Sequence, residues 1–246
     1  MLYHTGQKRT FKHNTRLAAL LCLTAGFVNV AGFIGFGVLT TNITGHVALF
    51  ADNLSQSNFT LAWRAGFWML MFFSGAFFSS LWLKFTGHNK RFAYTIPILL
   101  EIIILVLVGY GANQNMPNDI QLLAGSLLFA MGLQNALVSM ISGAVVRTTH
   151  LTGIFTDLAI DLSALFKSET AIRLNLKRRI LLKFVIIFFF FLGGILGGYL
   201  FRSLKYHTFF IPAGILLVIM IYDMVRLRTK KMMIRLRRTT YTETHH

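Results

Sequence analysis

Long apolar runs alternate with short polar or basic stretches along most of the chain. A helix rises about 1.5 Å per residue, so about 20 apolar residues are needed to cross a hydrocarbon layer about 30 Å thick. Six runs meet this length, which predicts an all-α membrane protein rather than a soluble fold. The predicted transmembrane helices are 17–39, 61–83, 92–111, 120–146, 180–201 and 208–224.

Composition supports this prediction. Of the 246 residues, 55% are hydrophobic and 13% are charged, whereas soluble domains have about 25% charged residues. So few charges could not cover a soluble surface of this size, and so many apolar residues exclude a disordered chain. The single cysteine, Cys22, cannot form an intrachain disulfide. We expect one membrane domain at 17–225, between basic tails at 1–16 and 226–246.

The net charge of +16 comes from 24 Lys and Arg against 8 Asp and Glu. In a soluble protein this excess would suggest nucleic acid as a partner. Here 21 of the 24 basic residues lie in the two tails and in the loops around residues 84–91 and 147–183, so we expect no nucleic-acid partner. The positive-inside rule then predicts that both termini are cytoplasmic. The basic tails either contact anionic lipid headgroups or act as solvated topology signals.

The two halves of the chain resemble each other. Residues 35–45 and 143–153 share the frame Gly-x-x-Val-x-Thr-Thr-x-x-Thr-Gly. Each half contains three predicted spans, and an odd number reverses the orientation of the second copy. We therefore predict two inverted three-helix repeats, 17–112 and 120–225, which are typical of secondary transporters with a site between the repeats. Further matched residues are Gly26 with Gly132, Asn29 with Asn135, Phe72 with Phe190, and Gly75 with Gly193.

The Thr-Gly steps predict short helices after spans 1 and 4. Glycine interrupts the preceding helix, and Thr44 or Thr152 can cap a new one over 45–55 or 153–166. The start of such a helix favours an anionic or carbonyl group. One interpretation places these broken helices inside the protein at membrane depth. The other places them flat on the membrane surface as interfacial helices.

Polar residues within or beside the apolar runs are the candidate site residues. Glu101 lies in an apolar span, where an acid costs about 2.5–3.5 kcal/mol on insertion scales, and is therefore paired, protonated or functional. Asn29 and Asn135 either line a polar path or join helices by hydrogen bonds. The predicted substrate-binding residues are Asn29, Thr44, Gly45, Asn135, His150, Thr152 and Gly153. The predicted proton- or ion-coupling residues are Glu101, Asp157 and Asp161.

The sequence contains little that indicates a catalytic site. The sequence has no HExxH, GxSxG, CxxC or P-loop motif, so we expect no enzyme activity, no cofactor and no metal site. Glycines at two overlapping GxxxG spacings in span 5 predict close helix approach, with a homo-oligomer face as the alternative. These glycines are Gly193, Gly194, Gly197 and Gly198.

The stretch from Arg147 to Asp157, Arg-Thr-Thr-x-x-Thr-Gly-x-x-Thr-Asp, resembles the YoaK-type family of small bacterial integral membrane proteins. Glu101 and the elements around Asn29 and Gly45 also fit this resemblance, which covers residues 17–225. It implies a multi-pass protein of the bacterial plasma (inner) membrane and no particular activity.

From the repeat and the intramembrane acid we expect a secondary carrier for a small solute. Coupling of solute movement to protons is one version of this expectation. Alternatives are a channel and a non-transporting scaffold, regulatory or lipid-binding protein.

Overall fold

The computed structural model describes residues 11–87, 93–112, 120–166 and 170–225, and in these ranges every regular element is helical. Residues 1–10 of the predicted N-terminal tail and the whole predicted C-terminal tail, 226–246, lie outside the described residues. The elements are α1 (Phe11–Phe36), α2 (Ile43–Ser55), α3 (Phe59–Thr86), α4 (Thr95–Gly111), α5 (Ile120–Ser142), α6 (Leu151–Ala164), α7 (Thr170–Leu204), a 3₁₀ turn (Lys205–Phe209) and α8 (210–225).

Four helical stretches among the described residues are long and apolar enough to cross a membrane. They are Asn14–Phe36 within α1, Phe59–Thr86, Ile120–Ser142, and the 53-residue stretch Arg173–Val225. The last contains most of α7, the 3₁₀ turn and α8. Helix α4 is also apolar but has only 17 residues. The predicted all-α membrane class is therefore confirmed.

Helices α2 and α6 begin two residues before the predicted starts. Asn42 is the N-cap residue of α2 and His150 is that of α6. The prediction that Thr44 and Thr152 cap these helices is therefore wrong. Each threonine is already the second helical residue, because the chain becomes helical directly after residue 42 or 150.

Two helix pairs, α1 with α7 and α3 with α5, make the most extensive packing in the molecule. Glycines lie where the backbones meet, and a Cβ at any of them would overlap a main-chain carbonyl oxygen of the partner helix. Small residues allow such close approach between membrane helices. The close approach predicted from the span 5 glycines is thus confirmed, within one chain. The pairs are Gly26 on Phe190, Gly193 on Leu23, Gly132 on Phe72, and Gly75 on Phe129.

The core lies between α1, α4, α5, α7 and α8, and Cys22 of α1 is completely buried in it. Gln134 Nε2 donates a hydrogen bond of 2.8 Å to the Leu21 carbonyl, joining α5 to α1. By contrast, α3 and α7 expose large side chains such as Phe73 and Phe188 on the outside of the bundle. Outward phenylalanines of this kind suit contact with lipid better than contact with water.

Candidate functional site

A cavity of about 590 Å³ lies between the two copies of the shared frame. We call residues 40–45 the first motif segment and residues 148–153 the second motif segment. Both contribute to the walls, together with α3, α5 and the first turns of α2 and α6. The lining residues are Thr41, Asn42, Ile43, Thr44, Phe72, Asn135, Ser139, Arg147, Thr149, His150, Leu151, Thr152, Gly153 and Thr156.

The first motif segment is held by side-chain hydrogen bonds. Asn29 Oδ1, on α1, accepts the Thr41 backbone N–H at 3.1 Å. Asn42 Oδ1 accepts the Gly45 N–H at 3.1 Å and so caps α2. Gly45 leaves room for this cap, because a Cβ there would press on the Asn42 carboxamide. The polar backbone groups at the start of α2 are therefore partly satisfied within the first half of the protein.

A hydrogen bond of His46 joins the residues that flank the first motif segment. Its Nε2–H donates to the Leu39 carbonyl at 2.9 Å, and its ring lies edge-on to Trp68 with centroids 5.5 Å apart. Burial lowers the pKa of His46 below its ordinary value, and the hydrogen bond to Leu39 opposes this shift. A neutral imidazole adds no charge beside the first motif segment.

The second motif segment lacks the equivalent bonds. His150 makes no side-chain cap to α6, although its ring lies against Gly153. Asn135, the counterpart of Asn29, has a buried Oδ1 without a partner among the described residues. The N–H groups of Leu151, Thr152 and Gly153, which line the cavity, therefore have no cap from His150.

A matched pair of buried threonines comes directly before the lining residues Thr41 and Thr149. Thr40 and Thr148 occupy the same position of the frame, are completely buried, and have hydroxyls without a hydrogen-bond partner among the described residues. An unsatisfied buried hydroxyl costs about 1–3 kcal/mol. The shared position thus carries a similar polar feature in both halves.

The predicted substrate-binding residues only partly come together. Thr44, Asn135, His150, Thr152 and Gly153 line the cavity. Gly45 and Asn29 are not lining residues. Instead they form hydrogen bonds with residues that are, Gly45 with Asn42 and Asn29 with Thr41.

The three predicted coupling acids lie apart from the cavity lining. Asp161, only 2% exposed, forms salt bridges from α6 to Lys183 at 2.6 Å and to Arg179 at 2.8 Å. Asp157 is exposed, and its carbonyl accepts a 2.7 Å hydrogen bond from Lys183. Glu101 is 1% exposed in α4, and its Oε1 has no partner among the described residues.

Sequence reasoning missed several residues that shape this region. Arg147 and Thr41 line the cavity, and both stand inside the shared frame, so the repeat was the signal that could have found them. Lys183 lies far along the chain from Asp161, and no local spacing connects the two. Within the described ranges no group of three or more His, Cys, Asp or Glu could hold a metal ion.

The helices and the cavity define a helical membrane protein that crosses the bilayer several times. The family model described as "Protein of unknown function (DUF1275)" matches residues 17–222, so the chain belongs to that family. The chain is also similar to the "UPF0700 transmembrane protein YoaK" of Bacillus subtilis (strain 168), with 27% identity over 153 residues, 61% of this chain and 68% of that protein. The resemblance to the YoaK-type family is therefore confirmed. No solved structure matches the chain.

Proposed function

We propose that the protein is a secondary carrier that binds a small solute in the cavity between two inverted three-helix repeats. The observation that carries this proposal is the cavity itself, because one polar space of about 590 Å³ is lined by both copies of the repeated motif. Its volume lies in the range of about 300–1,000 Å³ typical of small-molecule sites.

Helix lengths support six spans rather than four. The stretch Arg173–Val225 has 53 residues and would be about 80 Å long as one helix, far more than a bilayer core of about 30 Å. The 3₁₀ turn at Lys205–Phe209 divides it into α7 and α8. Helix α4, with 17 residues, is at the short end of the range for a transmembrane helix.

Equivalent contacts support the inverted repeat. Gly26 of α1 packs on Phe190 of α7, and its matched residue Gly132 of α5 packs on Phe72 of α3. The second pair of close approaches is also equivalent in the two halves. Gly193 of α7 packs on Leu23 of α1, and its matched residue Gly75 of α3 packs on Phe129 of α5. Helices α2 and α6 also pack on the equivalent neighbours, α3 and α7. In such an arrangement the halves rock against each other around a fixed site.

Two acids are the candidates for coupling solute movement to protons. Glu101 is buried in α4, which packs against α5. Asp161 and Lys183 join α6 to α7, so any displacement between these helices has to break or stretch their salt bridge. In the proposed orientation both termini are on the cytoplasmic side of the bacterial plasma membrane, and the basic tails contact anionic headgroups.

Reconstitution tests the carrier. Purified full-length protein in liposomes is given a panel of labelled neutral, cationic and anionic solutes, with and without a pH gradient. We expect saturable uptake of at least one solute, lost in Asn135→Leu and kept in Ser126→Ala. Ser126 lies on the same helix but bonds only its own helix, at Leu123. A folded wild-type protein that moves no solute contradicts the proposal, and non-saturating ion conductance favours the channel.

A lipid-binding scaffold is the second candidate, favoured by a groove of about 480 Å³ between α1 and α7. Apolar side chains such as Val30, Ile34 and Phe191 line it, and Arg202 lies among them. This chemistry fits an acyl chain with an anionic headgroup. Native mass spectrometry would favour the scaffold if lipid stays bound to the wild type, is lost in Arg202→Gln, and no uptake is observed.

A further inference from the structure

Among the described residues that line the cavity, there is positive charge and no acidic side chain. Arg147 and His150 are the titratable residues in its lining, and no acidic residue is among them. Asp157 follows the lining residue Thr156 but does not itself line the cavity. Arg147 forms no ion pair with a described residue. A concave site whose arginine is not neutralised by any described acid attracts anions.

The start of α6 adds hydrogen-bond donors to the same space. Leu151, Thr152 and Gly153 line the cavity as the first three residues of this 14-residue helix. Their N–H groups have no partner within the helix, and His150 provides no side-chain cap. The free N–H groups and the helix dipole favour a negatively charged group at this position.

Thr41 supplies an independent donor from the first motif segment. It is 8% exposed and lines the cavity. Its backbone N–H is bound by Asn29, but its hydroxyl makes no hydrogen bond with a described residue. A hydroxyl on a nearly buried lining residue, without a partner among the described residues, is a group that a ligand would satisfy.

We propose that the cavity binds the anionic oxygen atoms of a small solute, a carboxylate or an inorganic oxyanion. These oxygens bind the Arg147 guanidinium, the uncapped N–H groups of α6 and the Thr41 hydroxyl. An arginine fork and a helix start are the usual donors for such oxygens. The inference rests on the proposed carrier function, since it names the class of solute that would be carried.

Binding is tested separately from transport. Purified full-length protein in detergent is titrated with sulfate, phosphate or succinate at constant ionic strength set by chloride, and thermal stability and calorimetric binding are measured. We expect saturable binding of at least one probe, weakened at least about tenfold in Arg147→Gln. Arg147→Lys should restore part of it, and Thr41→Val should weaken it several-fold. Arg178→Gln is the matched control, because this exposed arginine of α7 does not line the cavity.

The outcomes separate the two proposals. Anion binding that depends on Arg147, without uptake in liposomes, supports the site and overturns the carrier. Uptake of neutral or cationic solutes, without binding of any of the three probes, supports the carrier and overturns the anion site. Equal binding in the wild type, Arg147→Gln and Thr41→Val also overturns the site, even if anions stabilise the protein.

Discussion

The first and second motif segments share a sequence frame but differ in how their polar groups are satisfied. In the first, Asn29 binds Thr41 and Asn42 caps α2. In the second, Asn135 Oδ1 has no partner among the described residues and His150 makes no side-chain cap to α6. Side chains of the first half therefore stabilise the first motif segment, whereas a ligand in the cavity could bind the donors of the second.

The helices that follow the two segments are also anchored differently. On α6, Asp161 is buried and paired with Lys183 and Arg179 of α7. At the matched position of α2, the Asn53 side chain donates to Leu49 of its own helix and forms no bond to another described helix. The second half thus has an ionic link between helices where the first half has a capped helix start, although the two segments share a sequence frame.

The largest expected effects test whether the halves are equivalent in their packing. Gly26→Ala and Gly132→Ala should each lower the free energy of unfolding by about 3 kcal/mol, because the added Cβ meets a main-chain oxygen that cannot rotate away. Unfolding in mixed detergent micelles measures both variants. Gly214→Ala, with nothing within 4 Å, should be neutral or slightly stabilising. A lower free energy of unfolding in one of these two variants and no change in the other would show that the two halves do not pack in the same way.

Removing the salt bridge between Asp161 and Lys183 should give the next largest difference in unfolding free energy between the two halves. Asp161→Asn should cost about 2 kcal/mol of unfolding free energy, since it leaves Lys183 without its buried partner while the exposed Arg179 loses little. Asn53→Ala, the matched change in the first half, should cost less than about 0.5 kcal/mol. The same micelle assay applies, with Asp157→Asn as a control for an exposed acid. Equal losses at residues 161 and 53 would contradict the comparison.

Leucine substitutions at the two matched asparagines should change the free energy of unfolding by different amounts and in different directions. Asn29→Leu should cost about 1.5 kcal/mol, because the Thr41 N–H loses its acceptor. Asn135→Leu should leave stability unchanged or raise it, because it removes a buried oxygen that has no partner. Thermal unfolding measures the stability of both, and uptake in liposomes separates the role of Asn135 in stability from its role in the carrier. A large stability loss in Asn135→Leu would show that its amide is structural.

The smallest difference concerns the caps. Asn42→Ala should cost about 1 kcal/mol, the usual value of an N-cap side chain, whereas His150→Ala should change stability by less than about 0.3 kcal/mol. Both are read from thermal unfolding of the purified protein, with Ser126→Ala as a reference. If the histidine variant loses as much as the asparagine variant, His150 supports α6 in the membrane-bound protein.

The helices and the pairing of the motif segments were predictable because both leave local signals. Apolar length indicates where helices lie, and the shared frame predicted that two distant segments are related. The cap residues were misassigned, since threonine and asparagine both cap helices and only backbone geometry distinguishes them. The salt bridge between Asp161 and Lys183 was not foreseen, because it depends on how α6 docks on α7. Glu101 was recognised as buried, but sequence could not show that it lies outside the cavity lining.

The sealed thiol of Cys22 makes the wild-type chain inert toward maleimide and nitroxide reagents, because it is the one cysteine and is completely buried. Thr44→Cys and Thr152→Cys together would therefore carry two spin labels in an otherwise native background. Electron-resonance spectra of such a doubly labelled protein would report the distance between the opposing walls in a lipid bilayer, with and without solute.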